Sequence, residues 1–309
     1  GLTKLGSSTL TLNTVNDYEG TTTVSGGTLL VNGAIGSGAV TVQTGATLGG
    51  GGTIGGDINV GDIIVQSGGT LAPGESDTAT DTLTIIGSKN VTLNKDSTTV
   101  VQVDRNEGSE LSDLVTGIGT FTAGGTLQVD NLDPEDEFEA GDEFQLFTAG
   151  TYAGEFAGIG PANPNGDPDL AWDTVALKTE GLLRVHNSPK AKRVDYYRAK
   201  GTSFKIPFSP TMFAAEDADQ DPVALESYQT PAKNGGKVTT TSSTLRYEPV
   251  NNDHDEFEFS VTDGRGGKGN AIFYVWVKDY VGKVTITDTG GYGKKISFYG
   301  IPGYCYIIE

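Results

Sequence analysis

The sequence predicts an all-β protein in three parts: a parallel β-helix, then an antiparallel β-sandwich, then a partial β module. Three observations lead there. A short motif returns about every 20 residues in the first half. Val, Leu, Ile and Thr alternate with polar residues along most of the chain, which is the period of strands. No stretch shows the 3.6-residue period of an amphipathic helix.

The motif reads SGGTLLV, TGATLGG and SGGTLAP, with its leucine at Leu29, Leu48 and Leu71. A fourth copy, AGGTLQV, places its leucine at Leu127, well beyond the third. Short strands separated by glycine turns at this spacing predict stacked coils whose backbone groups pair with the coil above and below. The interior is then a column of aliphatic side chains, here Val24, Leu29, Val31, Val40, Val42, Leu48, Ile54, Ile58 and Val60. Residues 25–56 carry no charge and no aromatic ring. That suits stacking material, with aliphatic rungs inside and Thr, Ser and Asn ladders outside. Glycine takes the corners, where positive φ is needed.

The opening GLTKLGSSTLTL at residues 1–12 resembles the autotransporter-associated β-strand repeat of bacterial surface proteins, with Ser8 where that family usually has Gly. Tyr18, Gly20 and Val24 match its middle step, and residues 69–74 match its G-x-L-x-P-G close. The later run from GGTLQVD to LLRV resembles the segment that ends such passenger regions. The resemblance implies an elongated, exported β-helical protein of the cell surface. The sequence contains no outer-membrane barrel, so it does not by itself imply one secretion route.

Near NSPKAK, at residues 187–192, glycine thins out and basic residues appear, so a domain boundary is placed there. SFKIPF, ALESYQ, GKVTTT, TLRYEP, FEFSVTD and AIFYVWV then read as short strands of an antiparallel sandwich. Residues 214–225 and 247–269, with the closing strand up to Val277, resemble bacterial cadherin-like domains of large adhesins. The expected division is 1–186 β-helix, 187–279 cadherin-like (Ig-like) sandwich, and 280–309 a partial β module. An incomplete module can complete its sheet on a neighbouring copy of the chain, as in a homopolymeric fibre. A chain that starts at Gly1 also reads as a processed piece.

Charge is divided unevenly. Residues 1–186 carry 25 acidic and six basic side chains, and the rest carries fifteen of each. The acidic first part repels nucleic acid and anionic lipid. No apolar window is long enough to span a membrane as a helix. One cysteine, Cys305, rules out an intrachain disulfide and reads as a small buried residue.

Constellations for catalysis are scarce. GGGGTIGG lacks the Lys-Ser/Thr of a phosphate loop. His186 and His254 lie far apart in the sequence, without zinc-type partners. Up to residue 120 the basic side chains are only Lys4, Lys89, Lys95 and Arg105, and the only aromatic is Tyr18, a poor start for polysaccharide cleavage. Asp133 to Glu143 holds seven acids and reads as a solvated loop. The sharper cation candidate is Glu216, Asp217, Asp219 and Asp221, with Asp253 and Asp255 adding ligands. Alternating carboxylates in a loop can supply several of the six to eight oxygens that calcium takes.

The expectation is therefore a non-enzymatic, extracellular or cell-surface bacterial protein with a structural or adhesive role. It acts as stalk and contact module, with calcium as its cofactor and with copies of itself, surface glycans or neighbouring cells as partners. The alternative is a carbohydrate-binding or carbohydrate-cleaving surface β-helix protein.

Overall fold

The computed structural model describes the chain except residues 57–60, 76–77, 107–108, 208–212, 214, 242–243, 279–284, 289–293 and 298–309. It forms two compact units, one of residues 1–187 with 265–267, the other of residues 188–264 and 268–309.

The first unit is a parallel β-helix built from curled sheets. One ladder stacks Leu2–Lys4, Thr22–Val24, Val40–Val42, Ile63–Val65 and Val91–Leu93; a second stacks Thr9–Leu12, Gly27–Val31, Ala46–Gly50, Thr70–Pro73, Thr98–Asn106, Thr126–Asn131 and Gly158–Gly160. A third runs through Val15–Asn16, Ala34–Ile35, Thr53–Gly55 and Thr82–Ile86. The long strand Leu114–Ala123 pairs with Thr82–Ile86 at its start and Val91–Leu93 at its end, joining the third ladder to the first.

The leucines of the sequence motif fall in one inward column. Leu10, Leu29, Leu48, Leu71, Thr99, Leu127 and Ile159 are successive rungs in register. Val24, Val42, Val65 and Leu93 form a second column. Val24, Leu29, Val31, Val40, Val42, Leu48 and Ile54 are all buried as expected; Ile58 and Val60 lie outside the described residues. On the outer side Thr9, Thr28, Thr47, Thr70, Thr98 and Thr126 stack as a threonine ladder, a favourable cross-strand pairing of β-branched side chains.

Lysine tethers supplement the columns. Lys4, nearly buried, donates from Nζ to the carbonyls of Leu5, Gly6 and Gly26 at 2.9–3.0 Å. Lys89, fully buried, donates to Ser37 O and to Gly61 O. Burial lowers its pKa, with Asp62 opposing.

The coils do not fill residues 1–186 as the sequence pattern suggests. Glu143–Gln145, Leu182–Asn187 and Leu170–Asp173 make an antiparallel three-stranded sheet, with a short helix at Thr174–Glu180. Phe138, Phe144, Trp172, Leu183 and Val185 from this segment share the core of the coils. The helix corrects the expectation of no helix. Asp173 caps it, accepting from the N–H groups of Val175 and Ala176, and Gly181 ends it in the left-handed region.

The second unit is an Ig-like pair of sheets. Val194–Ala199, Lys268–Lys278, Asp255–Thr262 and Ala224–Tyr228 make one sheet; Phe204–Pro207, Thr244–Glu248 and Lys237–Thr240 make the other. Each of the six strands expected from the sequence overlaps one of these. Val194–Ala199 is a further strand, and it pairs parallel to Lys268–Lys278 in a sheet otherwise antiparallel. Phe204, Leu245 and Tyr247 meet Phe257, Phe273 and Val275 in one core. Thr285–Asp288 and Lys294–Ser297 pair antiparallel; the remainder of the expected partial module, Cys305 included, lies outside the described residues.

Candidate functional site

The loop that carries Glu216, Asp217, Asp219 and Asp221 leads toward the edge strand Ala224–Tyr228. Glu216 is anchored by a two-bond bridge to Lys190, and its carboxylate meets Lys192 Nζ at 2.5 Å. Asp217 organises the turn. Its Oδ1 accepts the N–H groups of Asp219 at 2.9 Å and Asp221 at 3.0 Å. This is the local geometry that aspartate supplies in turns. Gln220 sits in the left-handed region at φ 66°, which closes the loop. Asp217 Oδ2 is buried and accepts no hydrogen bond from the described residues. Asp219 is exposed and Asp221 half-buried.

Asp253 and Asp255 do not join this loop. In the pairing register Ala224 sits opposite Thr262, whereas Asp255 starts the strand that Thr262 ends. At about 3.4 Å per residue, some ~24 Å of strand separates the two ends. Asp255 is also committed elsewhere. It is buried and accepts four hydrogen bonds: Asn234 N–H at 2.7 Å and Glu256 N–H at 2.9 Å on Oδ1, Tyr247 O–H at 2.7 Å and Gly236 N–H at 3.1 Å on Oδ2. Burial and this carboxylate together raise the Tyr247 pKa. Asp253 gives its carbonyl to Arg198, which is fully buried beside the Tyr247 ring. Asp255 therefore organises the turns at that end, and the six carboxylates do not share one centre.

The acidic run of residues 133–143 is more than a solvated loop. Arg105 holds Asp136, Glu139 and Asp142 at 2.9, 2.6 and 3.0 Å, and Arg184 holds Glu143 at 2.6 Å. A single guanidinium, far upstream in the sequence, pairs with three of the seven acids of the run.

Sequence reasoning misses one buried acid. Asp113 is fully buried, and its two carboxylate oxygens accept the N–H groups of Asp81 at 2.8 Å and Gln102 at 2.9 Å. Burial raises its pKa to about 6, the two N–H groups pulling against it. Its chemistry is bracing between segments of neighbouring coils. Nothing in the local sequence, LSDLV, marks it, because the coil register alone buries it.

Residues 2–31 match the family described as the passenger-associated-transport-repeat. Residues 186–276 match the family described as the bacterial Ig domain, an Ig-like sandwich of the kind read from the sequence as cadherin-like. No curated protein matches the chain. The first match thus falls on the opening coils and the second on the Ig-like pair of sheets.

Proposed function

We propose that the chain is an extracellular part of a bacterial surface protein, a solenoid stalk carrying an Ig-like contact module, without catalysis. The observation that carries this reading is the pairing of a passenger-type repeat with a bacterial Ig domain, the first at the start of the continuous coils. The physics suits the role. The coils satisfy their backbone groups rung by rung and present threonines and acids outward, which favours solubility outside the cell without a disulfide. The experiment is antibody labelling of intact cells that make the protein at native level. Labelling of whole cells, lost after brief external protease, supports the reading; labelling only after the envelope is broken defeats it.

Calcium belongs to this proposal at a reduced site. Asp219 and Asp221, whose carboxylates approach one another, would hold it, with Asp217 bracing the turn through Oδ1; Glu216 is engaged by Lys192 and adds less. Two neighbouring carboxylates in a closed turn fit a hard cation that takes oxygen ligands, with water completing its shell.

A further inference from the structure

We infer that the outer face of the four-stranded sheet is a binding groove for neutral oligosaccharides. The edge strand Ala224–Tyr228 does not run evenly along Asp255–Thr262; its register shifts between Leu225 and Ser227. Glu226 is the extra residue, and a bulge of this kind bends the strand and re-aims side chains. Beside it lies an open groove of about 580 Å³, lined by Ser227, Gln229, Glu258, Ser260, Asn270 and Ile272 among others. That is within the size of small-molecule sites, roughly 300–1,000 Å³.

The floor decides the occupant. It is a sheet face whose backbone groups are used between strands, with Glu258 opposite Ile272 and Ser260 opposite Asn270. An extended peptide adds to a sheet at its edge through free backbone groups, whereas this floor is the face of the inner strands Asp255–Thr262 and Lys268–Lys278, which presents side chains. It offers hydroxyl, amide and carboxylate groups, which supply both donors and acceptors, next to the apolar Ile272. A sugar ring carries the matching mixture, hydroxyls that donate and accept around an apolar C–H face.

Along the same strand the next outward residues are Tyr274 and Trp276. Their rings are stacked, 5.7 Å apart at 13°. The Arg193 guanidinium lies 4.1 Å above Tyr274, and Trp276 Nε1 donates to Asp195 at 2.6 Å. These contacts fix the two rings on the outward row of the same strand, beyond Ile272.

Charge selects among sugars. On the rim Lys268 pairs with Glu226, Lys233 with Glu256 and Arg193 with Asp195. Glu258 on the floor forms no ion pair among the described residues, so the floor is net negative and repels uronate or sulfated chains. This inference goes beyond the surface reading: a chain that bound sugars but stayed inside the cell would keep the one and lose the other.

The test titrates the full chain by calorimetry with cellohexaose, maltohexaose, mannohexaose, chitohexaose and hexagalacturonate. At least one neutral hexamer is expected to bind with Kd below about 1 mM, and hexagalacturonate at least ~10-fold more weakly. Asn270→Ala, on the outer face, should weaken the neutral hexamer at least ~10-fold while the melting temperature stays unchanged. Glu258→Gln should narrow the gap between neutral and acidic hexamers. The inference is overturned if no neutral hexamer binds, if hexagalacturonate binds as well as the neutral hexamers, or if Asn270→Ala binds like the parent.

Discussion

Two residues show how far the side-chain chemistry can be read. Thr99 stands in the leucine column between Leu71 and Leu127. It is fully buried, and its hydroxyl has no hydrogen-bond partner among the described residues. An unmet buried hydroxyl costs about 1–3 kcal/mol, so Thr99→Val, nearly the same shape, should stabilise the fold by on the order of 1 kcal/mol. Urea unfolding of the two proteins checks this; a midpoint that does not rise refutes it. Asp113 gives a pH signature. Its folded pKa of about 6 lies above the ordinary 3.8, so the fold favours the protonated acid. The stabilisation from this group is present below about pH 4, falls away as pH rises through 6, and is flat beyond, a change on the order of 3 kcal/mol. Asp113→Asn should lower stability at low pH, since one N–H loses its acceptor, should cost little or nothing near neutral pH, where the parent carries the buried charge, and should remove this part of the pH slope. Urea midpoints at pH 4.5 and 7.5 for both proteins measure it; an unchanged slope in the variant contradicts the assignment.

At the scale of elements, legibility follows the regularity of the coils. Leu10, Leu29, Leu48 and Leu71 recur at short, nearly even intervals, and the repeat is visible. The next rungs, Thr99, Leu127 and Ile159, stand wider apart in the sequence. Longer turns leave the column intact but erase the period, and Thr99 removes the motif's leucine from one coil altogether. The helix Thr174–Glu180 is hidden for another reason. Two turns are too short to show a period, although Asp173 before it and Gly181 after it are readable as caps. The parallel strand Val194–Ala199 escapes because VDYYRA has no turn signal tying it to its distant partner. The column itself makes a prediction. Leu48→Asp puts an unpaired carboxylate between Leu29 and Leu71, at a cost of several kcal/mol. Its thermal unfolding should drop steeply or be lost; melting like the parent would remove Leu48 from the inward column. At the 216–221 loop, calcium should raise the melting temperature of the second unit above its value in chelator. Asp219→Asn with Asp221→Asn should erase most of that rise, and equal melting in calcium and chelator would refute the site.

Across the whole molecule, the division into a coiled part and a sandwich is legible because each has its own period and charge. The composition of the candidate site is legible only in part. Glu216, Asp217, Asp219 and Asp221 are neighbours in sequence and stay so in space, while Asp253 and Asp255 group with them by type and are separated by the length of a strand. The stalk reading stands on the coil register, and that register can be measured directly. Cys305 is the sole natural cysteine, so a Cys305→Ser background is free of other thiols. Thr28 and Thr47 are adjacent rungs of the outer ladder, and Thr28 and Thr70 are two rungs apart. Rungs are about 4.8 Å apart, within the Cα separation that a disulfide spans. Under mild oxidation the pair Thr28→Cys with Thr47→Cys should crosslink rapidly, and Thr28→Cys with Thr70→Cys should not. Equal crosslinking of the two pairs, or faster crosslinking of the distant pair, would contradict the parallel coil.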